Sequence, residues 1–150
     1  MKYFRISEVK EFMNLLLTKE TFDDFLLVSA SAQGRGSLTL DGRMGGDEGG
    51  TYLNYGSFRS VLFEYIKGKE LPKSVKVILE LSRENCERLF PGKFLEGDSA
   101  SITVYFREDG LFAVAGFAGK TFSLDRSKEQ DWENYVLEYL KDLGFTPELL

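Results

Sequence analysis

The chain contains no histidine. Without imidazole there is no Ser-His-Asp or Cys-His nucleophile pair and no H-E-x-x-H zinc site. Acid–base chemistry near neutral pH would fall to shifted carboxylates, lysines or Cys86. Cys86 is also the only cysteine, which excludes an intrachain disulfide and leaves too few nitrogen and sulfur ligands for zinc. Long apolar runs are missing as well. Leu15-Leu16-Leu17 is bounded by Asn14 and Thr18, far short of the roughly 18 residues of a membrane span. Glu8, Lys10 and Glu11 stand where a signal peptide keeps an uncharged segment. Cations are in deficit, with 19 Lys and Arg against 24 Asp and Glu and a net charge of −5, which opposes contact with a phosphate backbone. These absences predict a cytoplasmic protein with no cofactor or metal, away from membranes, for which nucleic acid is not the expected partner.

What is present points to a packed domain. At 150 residues, 43% of them hydrophobic and thirteen of them Phe, the chain is long enough to bury a phenylalanine-rich core as a single domain over residues 1–150. After a short segment, Lys2 to Ile6, Ser7 reads as the cap of a helix with Val9, Phe12, Met13 and Leu16 on one face. Phe25–Ala32 and Ser37–Leu40, joined by Gln33-Gly34-Arg35-Gly36, read as a hairpin whose glycines supply positive φ. Gly42–Gly50, with five glycines and no periodicity, reads as a surface loop. Phe58, Val61, Leu62, Tyr65 and Ile66 trace a helical stripe stopped at Gly68. Val75, Val77, Leu79 and Leu81 recur with period two, predicting a half-buried strand, and Ser82 caps a brief helix that carries Cys86 inward.

Asp109-Gly110 between two alternating runs predicts a two-residue type I′ turn. That turn would pair Phe106 with Ala113, Val104 with Ala115 and Ile102 with Phe117, leaving Arg107, Tyr105, Phe112 and Val114 on the opposite face. Ser127 to Gln130 reads as a capping box, opening a helix whose Trp132, Tyr135, Val136, Tyr139, Leu140 and Leu143 form one stripe ended by Gly144. Hairpins and amphipathic helices without βαβ alternation predict an α+β fold: a largely antiparallel sheet built from hairpins, covered by helices.

Candidate functional residues fall into three groups. Glycines near Arg43 and Asp47 resemble a phosphate cradle only loosely, since no G-K-[ST] follows and Asp47 and Glu48 repel anions. Asp23, Asp24, Asp41, Asp47 and Glu48 could share a divalent cation, although no D-x-[DN]-x-[DN]-G loop is present and caps and turns are their ordinary duties. Lys67, Lys69, Lys73 and Lys76, with Arg59 two turns upstream of Lys67, form the densest basic stretch; cations at a helix end also simply complement its dipole. Cys86, flanked by Glu84 and Glu87, reads as a core residue and not a nucleophile.

The pieces Lys2-Tyr-Phe-Arg-Ile-Ser-Glu-Val-Lys-Glu-Phe-Met13, Thr21-Phe-Asp-Asp-Phe25, Ile66-Lys-Gly-Lys69 with Pro72, and Lys120-Thr-Phe-Ser-Leu-Asp-Arg-Ser-Lys-Glu129 followed by Trp132 resemble a family of uncharacterised proteins from Firmicutes. The resemblance spans most of the chain, implies a bacterial cytoplasmic domain, and brings no assigned activity or site. The expected function is a non-enzymatic protein-binding or regulatory module, with a protein partner or self-association through Tyr105, Arg107 and Phe112, because aromatic and arginine side chains are enriched at interfaces. The alternative is a small-molecule or anion-binding domain, or a carboxylate- and lysine-based enzyme, near the Gly42–Gly50 loop, drawing on Arg43, Asp47, Arg59, Lys67 and Lys69.

Overall fold

The computed structural model describes residues 1–44, 52–68 and 70–150. Seven strands, β1 (Lys2–Ile6), β2 (Leu26–Gln33), β3 (Ser37–Asp41), β4 (Ser74–Glu80), β5 (Ser99–Arg107), β6 (Gly110–Ala118) and β7 (Pro147–Leu149), form one sheet in the order β3-β2-β4-β5-β6-β1-β7. Every pairing is antiparallel. Four helices, α1 (Val9–Thr18), α2 (Arg59–Ile66), α3 (Arg83–Leu89) and α4 (Ser127–Asp142), complete an α+β fold, with a 3₁₀ turn at Tyr55–Ser57.

Period-two alternation sends one set of side chains from strands β1 to β6 into a single core. Phe4, Ile6, Leu27, Ala30, Ala32, Val75, Val77, Leu79, Ile102, Val104, Leu111, Ala113 and Ala115 are buried there with Phe12 and Leu16 of α1, Leu62 of α2 and Trp132, Val136 and Leu140 of α4. The step from Leu27 to Ala30 crosses a β-bulge at Val28, which restores the inward phase of β2. Helix α4 packs chiefly on β6, where Ala113 and Ala115 leave room for its large side chains. The Trp132 indole N–H donates to the Ser101 carbonyl at 2.9 Å, fixing α4 to β5. Cys86 is buried, with its thiol held above its ordinary pKa by desolvation, as befits a core residue.

The strand over Val75–Leu81, the short helix capped by Ser82 (whose hydroxyl accepts the Asn85 N–H at 3.2 Å) and the stop at Gly144 match expectation. Five details differ. The later hairpin turns at Glu108-Asp109, not Asp109-Gly110, so Arg107 faces Gly110, Phe106 faces Leu111 and Val104 faces Ala113. A type I′ turn would need positive φ at Asp109, and among the described residues only glycines have it. The two-residue slip preserves both faces and brings Tyr105 opposite Phe112. Glu8, not Ser7, occupies the α1 N-cap, and its carboxylate receives the Thr146 hydroxyl at 2.6 Å. Asp125, not a Ser127 box, serves α4, accepting the Ser127 N–H at 2.9 Å. Val61 and Tyr65 of the α2 stripe are exposed, because α2 meets the core through Leu62, with Phe58, Phe63 and Ile66 alongside. The first hairpin forms as expected but without positive φ at Gly34 or Gly36.

Candidate functional site

The buried apolar side chains of all four helices lie with the inward set of the strands, so the other sheet face carries no helix among the described residues. The registers lay out this open face as rows running across the strands. One row reads Thr39, Ser31, Lys76, Tyr105, Phe112, Arg5 and Glu148 from β3 to β7. The next reads Asp41, Ser29, Ile78, Thr103, Val114 and Tyr3. Small hydroxyl side chains therefore occupy the β2–β3 side, and aromatics with arginines the β5–β6–β1 side.

Three side chains of the first row, Tyr105, Phe112 and Arg5, form a stack with Arg107 of the adjoining row. The Tyr105 and Phe112 rings lie 5.1 Å apart at an interplanar angle of 23°. The Arg107 guanidinium sits 4.6 Å over Tyr105, and that of Arg5 5.2 Å over Phe112. Cation–π contact and cross-strand pairing hold this order. Phe112 is only 4% exposed, yet its cover is Tyr105 and Arg5 and not a helix. It supports the surface from beneath, while half-buried Tyr105 and exposed Arg107 form it.

Beside the stack runs a trough of about 510 Å³, with Ile78, Thr103 and Val114 in its lining together with Tyr3, Tyr105, Ser31, Gln33, Lys76 and Arg107. Its size falls within the range of ligand and anchor pockets. Among the described residues Arg5, Lys76 and Arg107 make no ion pair. Glu80 stands one row beyond Ile78; burial, offset by the Ser99 hydroxyl, raises its carboxyl above the usual range.

The second group of candidates is dispersed. Arg59 is committed to Asp23, through Nε–Oδ1 at 2.8 Å and Nη2–Oδ2 at 3.2 Å. Asp41 accepts the Arg43 backbone N–H at 2.8 Å, the turn duty expected of it, and the Arg43 side chain is exposed. Lys67 pairs with Glu64 at 2.8 Å and lines a cavity of about 930 Å³ between the β2–β3 turn and the segment before β4. The charges there are largely self-neutralised, Arg35 meeting Glu70 at 3.3 Å. Asp47, Glu48 and Lys69 lie outside the described residues, as does most of the Gly42–Gly50 loop. Among the described residues of the basic stretch, Lys76 alone belongs to the open face; Lys67 and Lys73 line the other cavity.

Tyr3, Arg5 and Ser31 escaped the sequence reading. Their signal was the alternation of Lys2–Ile6, which sends Phe4 and Ile6 inward and Tyr3 and Arg5 outward; that β1 pairs with β6 was not readable. Phe122 and Leu124, 90% and 89% exposed, project from the β6–α4 connection. Asp98 pins that connection, its carboxylate accepting the Lys120 N–H at 2.8 Å and the Lys128 ammonium at 3.0 Å.

An antiparallel sheet shielded on one side and carrying an arginine–aromatic stack on the other defines an open-faced α+β protein. The chain belongs to the family described as "Family of unknown function (DUF5721)", whose model matches residues 15–146. Comparison with curated proteins and with solved structures gives no match. Among the described residues no helix is long and apolar enough to cross a membrane.

Proposed function

We propose that this protein is a binding module that engages another protein through the open face of its sheet. The observation that carries the reading is the Arg107–Tyr105–Phe112–Arg5 stack beside the trough. Arginines mounted on aromatic rings lose little rotamer entropy on binding, and the half-buried apolar floor supplies area to desolvate. Tyr105 and Arg107 are the contact residues and Phe112 their support. Arg43, Arg59 and Lys67 do not converge, so the alternative anion site near the glycine-rich loop has less to rest on.

Ser31→Trp tests the surface, because it fills the trough from a half-buried position on the solvent side of β2. Size fractionation of gently lysed native cells should show the wild type above its monomer mass and the variant at monomer mass, with equal melting temperatures. A variant that fractionates like the wild type would show that the open face is not the contact surface.

A further inference from the structure

The stack and trough on the open face carry Arg5, Lys76 and Arg107 and no carboxylate, Asp41, Glu80 and Glu148 standing at the margins, in a chain whose net charge is −5. Arg5, Lys76 and Arg107 stand on two adjoining rows with no ion pair among the described residues, and the one carboxylate in the stack's row, Glu148, lies at its β7 end. A guanidinium stacked on a ring keeps its in-plane N–H donors free, and two parallel donors match a carboxylate. Lys76 on β4 and Arg5 on β1 occupy the same row, three strand positions apart in the order β4-β5-β6-β1. At about 4.8 Å per strand that is roughly 14 Å. An extended segment advances about 3.4 Å per residue, so its residues i and i+4 are also roughly 14 Å apart and project to the same side.

We infer that the open face receives an extended acidic stretch of a partner protein, laid across the strands, with carboxylates at i and i+4 on Lys76 and Arg5 and an apolar residue at i+2 against the outer edge of the Tyr105 ring. This rests on the open face being the contact surface. Single-stranded nucleic acid fits less well: base stacking needs a free ring face, and the Tyr105 faces are taken by Phe112 and Arg107.

The test is an amide and arginine Nε–Hε NMR titration with the peptide acetyl-Glu-Ser-Val-Ser-Glu-amide. Its controls carry Lys or Gln in place of Glu; a shorter acetyl-Glu-Ser-Glu-amide and a hexauridylate RNA complete the series. The Glu pentapeptide should move the amides of Ser31, Thr103 and Tyr105 and the side-chain signals of Arg5 and Arg107. Arg5→Gln and Lys76→Gln should each weaken it about fivefold, and the i, i+2 peptide should bind about fivefold less well. Equal shifts with the Gln peptide would overturn the acidic assignment while leaving the open face as the contact surface. Tighter binding of the Lys peptide, preference for the RNA, indifference to spacing, or no shift on this face with the Glu peptide would each overturn the assignment. In the last case the fractionation of Ser31→Trp still decides the surface independently.

Discussion

Tyr55 is fully buried, and its hydroxyl donates at 2.9 Å to the carbonyl of Leu16. That carbonyl lies in the last turn of α1, where helical partners run out. Desolvation, offset in part by Arg59, holds the phenol above its ordinary pKa, so it stays a neutral donor. Tyr55→Phe should cost about 1–2 kcal/mol in urea unfolding by leaving the carbonyl unpaired. Asp98 presents a different balance. Its side chain is 2% exposed, and desolvation alone would raise its pKa, but the N–H groups of Lys120 and Leu95 and the Lys128 ammonium outweigh it and the net shift is downward. A depressed carboxylate stabilises the fold above its unfolded pKa and loses that contribution as pH falls through the folded value. Asp98→Asn should therefore destabilise at neutral pH, by about 1–3 kcal/mol, and less in acid, with faster amide exchange at Lys120. Glu80 has the opposite sign. Burial raises its pKa, so the folded state favours its protonated form and loses that contribution as pH rises through the folded value. Glu80→Gln should raise the melting temperature at pH 7 and leave it nearly unchanged well below the carboxylate range; a loss at pH 7 would contradict the burial argument.

At the scale of elements, the β2–β3 hairpin depends on Gly42. A Cβ at Gly42 would fall 1.8 Å from the Leu27 carbonyl oxygen, a backbone atom that cannot move without disturbing the sheet. Gly42→Ala should cost about 1–3 kcal/mol and speed amide exchange in β2 and β3 first; protection lost evenly across the sheet would place the effect elsewhere. The same hairpin shows what a sequence discloses. Alternation in Val75–Leu81 and the α4 stripe reflect burial that each residue senses locally, so both were legible. The β5–β6 register was legible only modulo two, because faces repeat with that period while the turn depends on φ at Asp109 and on the Tyr105–Phe112 contact. Strands β1 and β7 pair across more than 100 residues of chain, and no local period announces such a partner. For that reason Tyr105, Arg107 and Phe112 were readable as one face, whereas the Arg5 cover on Phe112 was not.

For the whole molecule, the helices and the inward strand faces gather most of the buried side chains in one core, leaving a second face of mixed hydroxyl, aromatic and cationic character. The carboxyl-terminal layer joins it firmly, through α4 on β6 and β7 on β1. A surface on a rigid sheet needs little reordering to bind, which suits recognition by a preformed site. The most direct measurement is photocrosslinking in native cells, with a photoreactive amino acid in place of Tyr3 or Gln33 on the open face and, as control, in place of Glu138, exposed on α4. Discrete protein adducts at Tyr3 and Gln33 that are absent at Glu138 are expected. Adducts at Glu138 with none at either open-face position would contradict the assignment of this face as the binding surface.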